Sequence, residues 1–238
     1  MPCREHVVDM SCLQQQRGHL SDYRATSMKV LNLYAGVGGN RHLWPVEWVV
    51  TAVEHDRTIA AVYSRLHPRD TIVVGDAHGY LLAHWREFDM VWSSPPCPTH
   101  SVMMKATRHA VQTYPDMRLY QEIIFLKHFF HGKWVVENVR PYYEPLLAPD
   151  LSIGRHRFWT NLSPGPMEEI PHFTNRGRGI INMSSLANKD KIIEWLGMPP
   201  IPERVYVGNN HCPCQFVRNC VHPRIGIHVV RELLPDYM

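Results

Sequence analysis

A chain of 238 residues is long enough to bury a sizeable core as one α/β domain, or as one domain with a small annex. Its hydrophobic fraction of 45% and charged fraction of 20% are those of an ordinary globular protein, and no stretch reaches the ~18 consecutive apolar residues that a membrane helix needs. A net charge of +3, from 25 basic and 22 acidic residues, permits a nucleic-acid partner without demanding one.

Residues 1–27 are polar, lack an apolar run and carry Arg4, Glu5, Asp9, Arg17 and Asp22, so they read as a flexible extension and not as a secretory signal. A cytoplasmic location is expected. In that setting the six cysteines read as free, metal-bound or catalytic in preference to disulfide-bonded. From Met28 short apolar runs alternate with helical stretches. Strands are expected at Lys29–Tyr34, Trp48–Glu54, Thr71–Val74, Phe88–Trp92 and Lys133–Glu137, and helices at Arg57–Leu66, Gly79–Trp85 and Met117–His131. This alternation predicts an α/β fold with a mostly parallel sheet, whose ligands bind at the carboxyl ends of the strands. After Pro141 a strand is expected at Gly154–Thr160, a Pro-, Gly- and Arg-rich irregular stretch at Ser163–Asn182, a helix at Asp190–Leu196, a loop over 201–218 and a last helix at Pro223–Leu234. The expected division is a catalytic and cofactor-binding domain over 28–162, a small reduced lobe over 163–217, and 218–238 returning to the main sheet.

Tyr34-Ala35-Gly36-Val37-Gly38-Gly39 follows the first strand, where glycines let a ligand approach the backbone closely. Glu54 ends the second strand, in place to take both hydroxyls of a ribose, and Asp76 ends the third, in place to accept from an adenine amino group. The structural alternative for each acid is a helix N-cap. Three such features in consecutive order favour a nucleoside-containing cofactor. The loop lacks a dinucleotide or P-loop spacing, which disfavours NAD and ATP. The fourth strand delivers Ser93-Ser94-Pro95-Pro96-Cys97, and the fifth delivers Glu137-Asn138-Val139. A cysteine in a proline-flanked turn at a strand end is placed for attack. A carboxyl group on the neighbouring strand end, kept protonated by partial burial, can serve a ring nitrogen while the thiolate attacks the ring.

These motifs, in this order from Val30 to about Leu234, resemble the DNA cytosine-C5 methyltransferase family. Arg155-His156-Arg157 resembles its Arg-x-Arg strand, Leu196-Gly197-Met198-Pro199 the end of its penultimate motif, and Arg218-Asn219-Cys220-Val221-His222-Pro223 a degenerate closing motif. The resemblance implies a Rossmann-like S-adenosylmethionine-dependent fold and methyl transfer to carbon 5 of cytosine in DNA. It implies a Cys97–carbon 6 adduct on a flipped base. Glu137 would serve N3, Asn138 would hold the Glu137 loop, and Arg155 and Arg157 would contact the base carbonyl and a phosphate. Tyr34, Gly36, Gly38, Gly39, Glu54, Asp76, Pro96 and Asn219 would hold S-adenosylmethionine. Ser101, Lys105 and Arg108, on the long segment after the nucleophile, would meet DNA.

The chain departs from the family in size. Fewer than forty residues separate the Arg-x-Arg strand from Leu196, where the family carries a substantial target-recognition domain. Roughly Ser163–Ala187, with Arg176 and Arg178, is left to read bases or hold phosphates, which predicts a short recognition sequence or a protein partner supplying contacts to a monomeric enzyme. Such a compact enzyme suits a phage or mobile element, or a restriction-modification system. The same chemistry on RNA is the alternative, followed by a non-catalytic nucleic-acid-binding protein on this scaffold. His211, Cys212, Cys214, Cys220 and His222 include enough ligands for zinc, but the Cys-x-Cys spacing is not that of a zinc knuckle, and unmetallated thiols are the preferred reading.

Overall fold

The computed structural model describes residues 27–101, 114–168, 170, 186–206 and 212–234. Among them seven strands form one sheet: β1 (Lys29–Leu33), β2 (Val49–Glu54), β3 (Thr71–Val74), β4 (Met90–Ser93), β5 (Lys133–Val139), β6 (Leu151–Ile153) and β7 (His156–Thr160). Their order is β3-β2-β1-β4-β5-β7-β6. The pairs from β3 through β5 are parallel, whereas β7 runs antiparallel to both β5 and β6. The order reverses between β1 and β4, so the crevice beyond their carboxyl ends is where an open sheet of this kind takes its ligand. β4 is buried at all four positions, as a central parallel strand covered on both faces must be.

One face is covered by α2 (Ala77–His84) and α3 (Arg118–Phe129), whose Leu81, Leu119, Ile123 and Leu126 pack on Leu31, Leu33, Val91 and Val136. The other face places Val30, Met90, Trp92, Val135 and Phe158 against Trp44, Trp48 and α6 (Pro223–Val229). α1 (Arg57–Leu66) buries Ile59, Ala60, Val62 and Tyr63 and is capped by Asp56, whose Oδ1 accepts from the Thr58 and Ile59 N–H groups. α4 (Leu186–Leu196) and α5 (Gln215–Arg218) join α1 through Ile192, Ile193, Leu196, Phe216 and Val217. A buried ion pair staples the loop after β1 to the turn before β3. Arg41 Nε and Nη2 donate to the two oxygens of Asp70 at 2.9 and 3.0 Å, and the Tyr63 hydroxyl donates to the same carboxylate.

α6 begins with Pro223 in its first turn and His222 as N-cap, and it lies so close to the loop after β1 that only glycine fits at position 226. A Cβ there would stand 2.2 Å from the Asn40 carbonyl oxygen.

Three expectations are corrected. β6 was not anticipated, because three residues are too few to show a period. α5 occupies part of the stretch expected to be a loop, its short turn held by burial of Phe216 and Val217. The last helix stops at Val229, and a separate 3-10 turn covers Arg231–Leu233. α1 has the bounds expected from the sequence.

Candidate active site at the carboxyl ends of the strands

Cys97 lies four residues beyond the end of β4, in a turn fixed from several sides. Its carbonyl accepts from the N–H groups of His100 and Ser101, both at 3.0 Å. The Asn138 Nδ2 donates to the Pro95 carbonyl at 3.0 Å, and Tyr142 N–H donates to the His100 carbonyl. Buried His100 sits between the Tyr143 hydroxyl and the Asp116 carbonyl, at 2.6 and 3.1 Å. The carbonyl can only accept, so His100 Nε2 carries the proton and Nδ1 accepts from the tyrosine. Ser101 forms an isolated bridge with Pro141, which closes the turn against the chain after β5.

The Cys97 thiol is free, half-buried and pushed above the usual thiol range, first by burial and then by the Glu137 carboxylate, with Arg155 pulling the other way. The arginine charge thus favours the thiolate, but burial outweighs it. Sulfur, acid and arginine therefore share one electrostatic neighbourhood at the ends of adjacent strands.

Glu137 is buried on β5, which pairs with β7 in the register Glu137↔Phe158, Asn138↔Arg157 and Val139↔His156. Alternation along the strands puts Glu137, His156 and Phe158 on one face, and Asn138 and Arg157 on the other. His156 Nδ1 meets Glu137 Oε1 at 2.6 Å with both side chains almost fully buried. Arg155 Nε donates to His156 Nε2 at 3.2 Å, and its Nη2 donates to the carbonyls of Arg218 and Cys220. Arg155 is thereby tied to a histidine and to two backbone carbonyls of the protein's own framework.

Arg157 stands opposite Asn138, on the other face from Glu137. It donates to the Gly154 and His156 carbonyls and faces Arg140, and burial followed by that second cation lowers its pKa. Both arginines line a cavity of about 470 Å³ with Tyr142, Tyr143 and Glu144. Asn138, expected to hold the Glu137 loop, accepts from the Val139 N–H through Oδ1 at 2.9 Å and ties that strand end to the Cys97 turn through Nδ2.

The loop after β1 has the form expected of a cradle. Tyr34 has φ 55°, a left-handed backbone rare for a non-glycine residue and costing ~1–3 kcal/mol, and its hydroxyl donates to Glu122 Oε1 at 2.7 Å. Gly36, at φ 56°, has nothing within 4 Å of where a Cβ would stand, so the loop presents bare backbone to open space. Gly38 lies against His67, and Gly39 against Cys220 and the Val221 carbonyl. Glu54 accepts from the Gly36 N–H through Oε2 and from the Asp56 N–H through Oε1, both at 2.9 Å. Each oxygen keeps a lone pair, enough for a ribose diol. Asp76 takes the N-cap role, accepting from Gly79 N–H at 2.9 Å, while its side chain stays mostly exposed. Pro96 and Asn219 are exposed, Asn219 directly before the cysteine that touches Gly39. These groups fit a nucleoside-containing ligand held along the loop.

Two buried polar residues tie this site together through contacts that the sequence did not reveal. Glu122 is wholly buried in α3 and binds the Tyr34 hydroxyl, His78 Nδ1 at 2.9 Å and the Ser93 hydroxyl, joining β1, α2 and β4 beneath the cradle. A carboxylate within the apolar stripe of Leu119, Ile123 and Leu126 was the available signal. His156 is the other; strand alternation alone places it beside Glu137.

Lys105, Arg108, Arg176, Arg178 and His211 lie outside the described residues, as does the extension over 1–26. Among the described residues, no three His, Cys, Asp or Glu side chains gather as a metal site would require. Cys214 belongs to an apolar cluster, and burial pushes its thiol up to about 11 and that of Cys220 up to about 12. His222 spends Nδ1 on the Arg224 N–H and Nε2 on the Trp195 carbonyl. No helix among the described residues is long and apolar enough to cross a membrane.

The family model described as C-5 cytosine-specific DNA methylase matches residues 28–143. No curated protein matches the chain. Among solved structures, one described as a DNA modification methyltransferase encoded within an E. coli prophage is 20% identical, with 50% of this chain and 34% of that chain covered and a TM-score of 0.35. A SAM-dependent methyltransferase from Agrobacterium tumefaciens is 13% identical, with coverages of 49% and 40% and a TM-score of 0.36. A Spodoptera frugiperda DNMT2 mutant is 23% identical, with coverages of 48% and 36% and a TM-score of 0.33. The chain thus spans 34% to 40% of the length of these three structures, and at such scores they carry no argument about its activity.

Proposed function

Because residues 28–143 carry a C-5 cytosine-specific DNA methylase domain, we propose that the protein transfers a methyl group from S-adenosylmethionine to carbon 5 of cytosine in DNA. The observation that carries this reading is the common field of Cys97, Glu137 and Arg155 at neighbouring strand ends.

Carbon 5 of cytosine is a poor nucleophile until the ring is opened to addition. The Cys97 thiolate adds to carbon 6 while the Glu137 carboxyl group delivers a proton to N3, and the ring becomes an enamine whose carbon 5 is nucleophilic. The Glu137 charge raises the thiol pKa, so the two groups resist being ionised together. Bound S-adenosylmethionine supplies the methyl group on a sulfonium leaving group. After transfer, water takes the carbon 5 proton, the Cys97–carbon 6 bond breaks to regenerate the thiolate, and N3 returns its proton to Glu137. Tyr34, Gly36 and Glu54 would hold the nucleoside end of the cofactor, with Asp76 at the rim. The target base must leave its stack to reach the turn, at a cost of a few kcal/mol.

The test is incubation with S-adenosylmethionine and DNA containing 5-fluorocytosine, whose fluorine cannot depart as the proton does, so the adduct is trapped. A covalent complex is expected that is lost in Cys97→Ala. A tRNA competitor run alongside decides between nucleic acids. The reading fails if neither nucleic acid is trapped.

A further inference from the structure

We propose that His156 is a positioning residue that gives the two oxygens of Glu137 separate tasks; this rests on the methyl-transfer reading above. The argument begins with Arg155. A guanidinium has no acceptor, so its Nε–H directed at His156 Nε2 at 3.2 Å requires a lone pair on that nitrogen. The ring is then neutral, with its proton on Nδ1, and Nδ1–H donates to Glu137 Oε1 across 2.6 Å. A carboxyl proton on Oε1 would point into another N–H. When Glu137 is protonated its proton therefore resides on Oε2, the oxygen left for N3 of the base.

The histidine cannot swing away without cost. Its side chain is 6% exposed, its ring sits over Phe158 at 6.3 Å, and the arginine behind it is moored to the carbonyls of Arg218 and Cys220. A buried carboxyl group without this neighbour is free to place its proton on either oxygen and to turn about its last bond. Half of those arrangements present a lone pair to N3, where a proton is needed.

The readout is exchange of the carbon 5 hydrogen of cytosine for solvent deuterium in the absence of S-adenosylmethionine. Addition of the thiolate at carbon 6, with protonation of N3, lets carbon 5 take a deuteron. Loss of the original proton to water, expulsion of the thiolate and return of the N3 proton to Glu137 complete the balance. His156→Leu removes the donor, and His156→Gln keeps polarity but reaches the Nε2 side. Both are expected to slow exchange and single-turnover methyl transfer by about 10- to 100-fold. Their DNA affinity should stay within about threefold, because the histidine acts through Glu137. His156→Asn carries an N–H where Nδ1 stands and is expected to recover the rate to within about fivefold of the native protein. Should His156→Leu fail to fold, the contrast between the Gln and Asn variants decides alone. Equal recovery by Gln and Asn, or an undiminished rate in a folded Leu variant, overturns the proposal. A native protein that exchanges nothing on DNA or RNA overturns the methyl-transfer reading itself and the role of His156 with it.

Discussion

Gly226→Ala tests whether α6 is truly seated on the loop that follows β1. On helix propensity alone the change should stabilise the protein, by about 1 kcal/mol. The packing says the opposite. The new Cβ would stand 2.2 Å from the Asn40 carbonyl oxygen and 2.8 Å from its Cα and carbonyl carbon, where ordinary contact begins at 3.4 Å. The obstacle is backbone, so no side chain can rotate aside and α6 must retreat by more than an ångström. Ile225 and Val229, at 6% and 0% exposed, would lose part of their packing as it does so. Overpacking of this kind costs ~1–3 kcal/mol, and contact with backbone places the cost near the top of that range. The net loss is then about 2 kcal/mol, which lowers Tm by about 4–8 °C for a chain of this length. S-adenosylmethionine affinity, measured by calorimetry, should fall as well, since Asn40 directly follows Gly39. Gly75→Ala is the control: nothing lies within 4 Å of its Cβ position, and Tm should move by no more than about 2 °C. A Gly226→Ala protein that melts at or above the native temperature would refute the contact.

Two further outcomes concern protonation. His67 is held down to about 4, chiefly by burial, against 6.5 for a free imidazole, so the folded state resists a proton that the unfolded chain accepts. Its contribution is complete above pH 6.5, is lost as the pH falls toward 4, and amounts to on the order of 3 kcal/mol. Urea titrations at pH 7 and pH 4.5 should show a smaller acid loss in His67→Phe; an equal loss in both proteins would contradict the assignment. Arg155 opposes the burial and the Glu137 charge that raise the Cys97 thiol. In Arg155→Leu the pH midpoint of Cys97 alkylation, followed by peptide mass spectrometry, should therefore move higher still, and a midpoint that stays or drops would show that the arginine charge does not reach the sulfur.

The parallel core was legible because its strands are short apolar runs, fully buried at the centre in β4, each ending in turn residues. Cys97, Glu137 and the glycine loop were legible for a related reason: such a sheet forces its chemistry to the carboxyl ends of the strands. What escaped depends on pairing across the chain. The period of α3 favours a helix but does not reveal that Glu122 will receive a tyrosine, a histidine and a serine from three other elements. Arg155 and Arg157 look equivalent as Arg-x-Arg. β7 begins only at His156, so its register sends Arg157 to the face of Asn138 and leaves His156 beside Glu137, whereas Arg155 sits in the turn before the strand. Asp76 shows the reverse case, where the residue was found but its visible task is the N-cap of α2.

The mooring of Arg155 also has a bearing on when the protein becomes competent during its synthesis. The carbonyls that hold it belong to residues 63 and 65 positions further along the chain. Until those later residues emerge from the ribosome the guanidinium has no carbonyls to anchor it, and the sheet lacks the cover that α6 gives one of its faces. A nascent chain cut short before Arg218 would carry Cys97 and Glu137 without the brace that holds Arg155 in place.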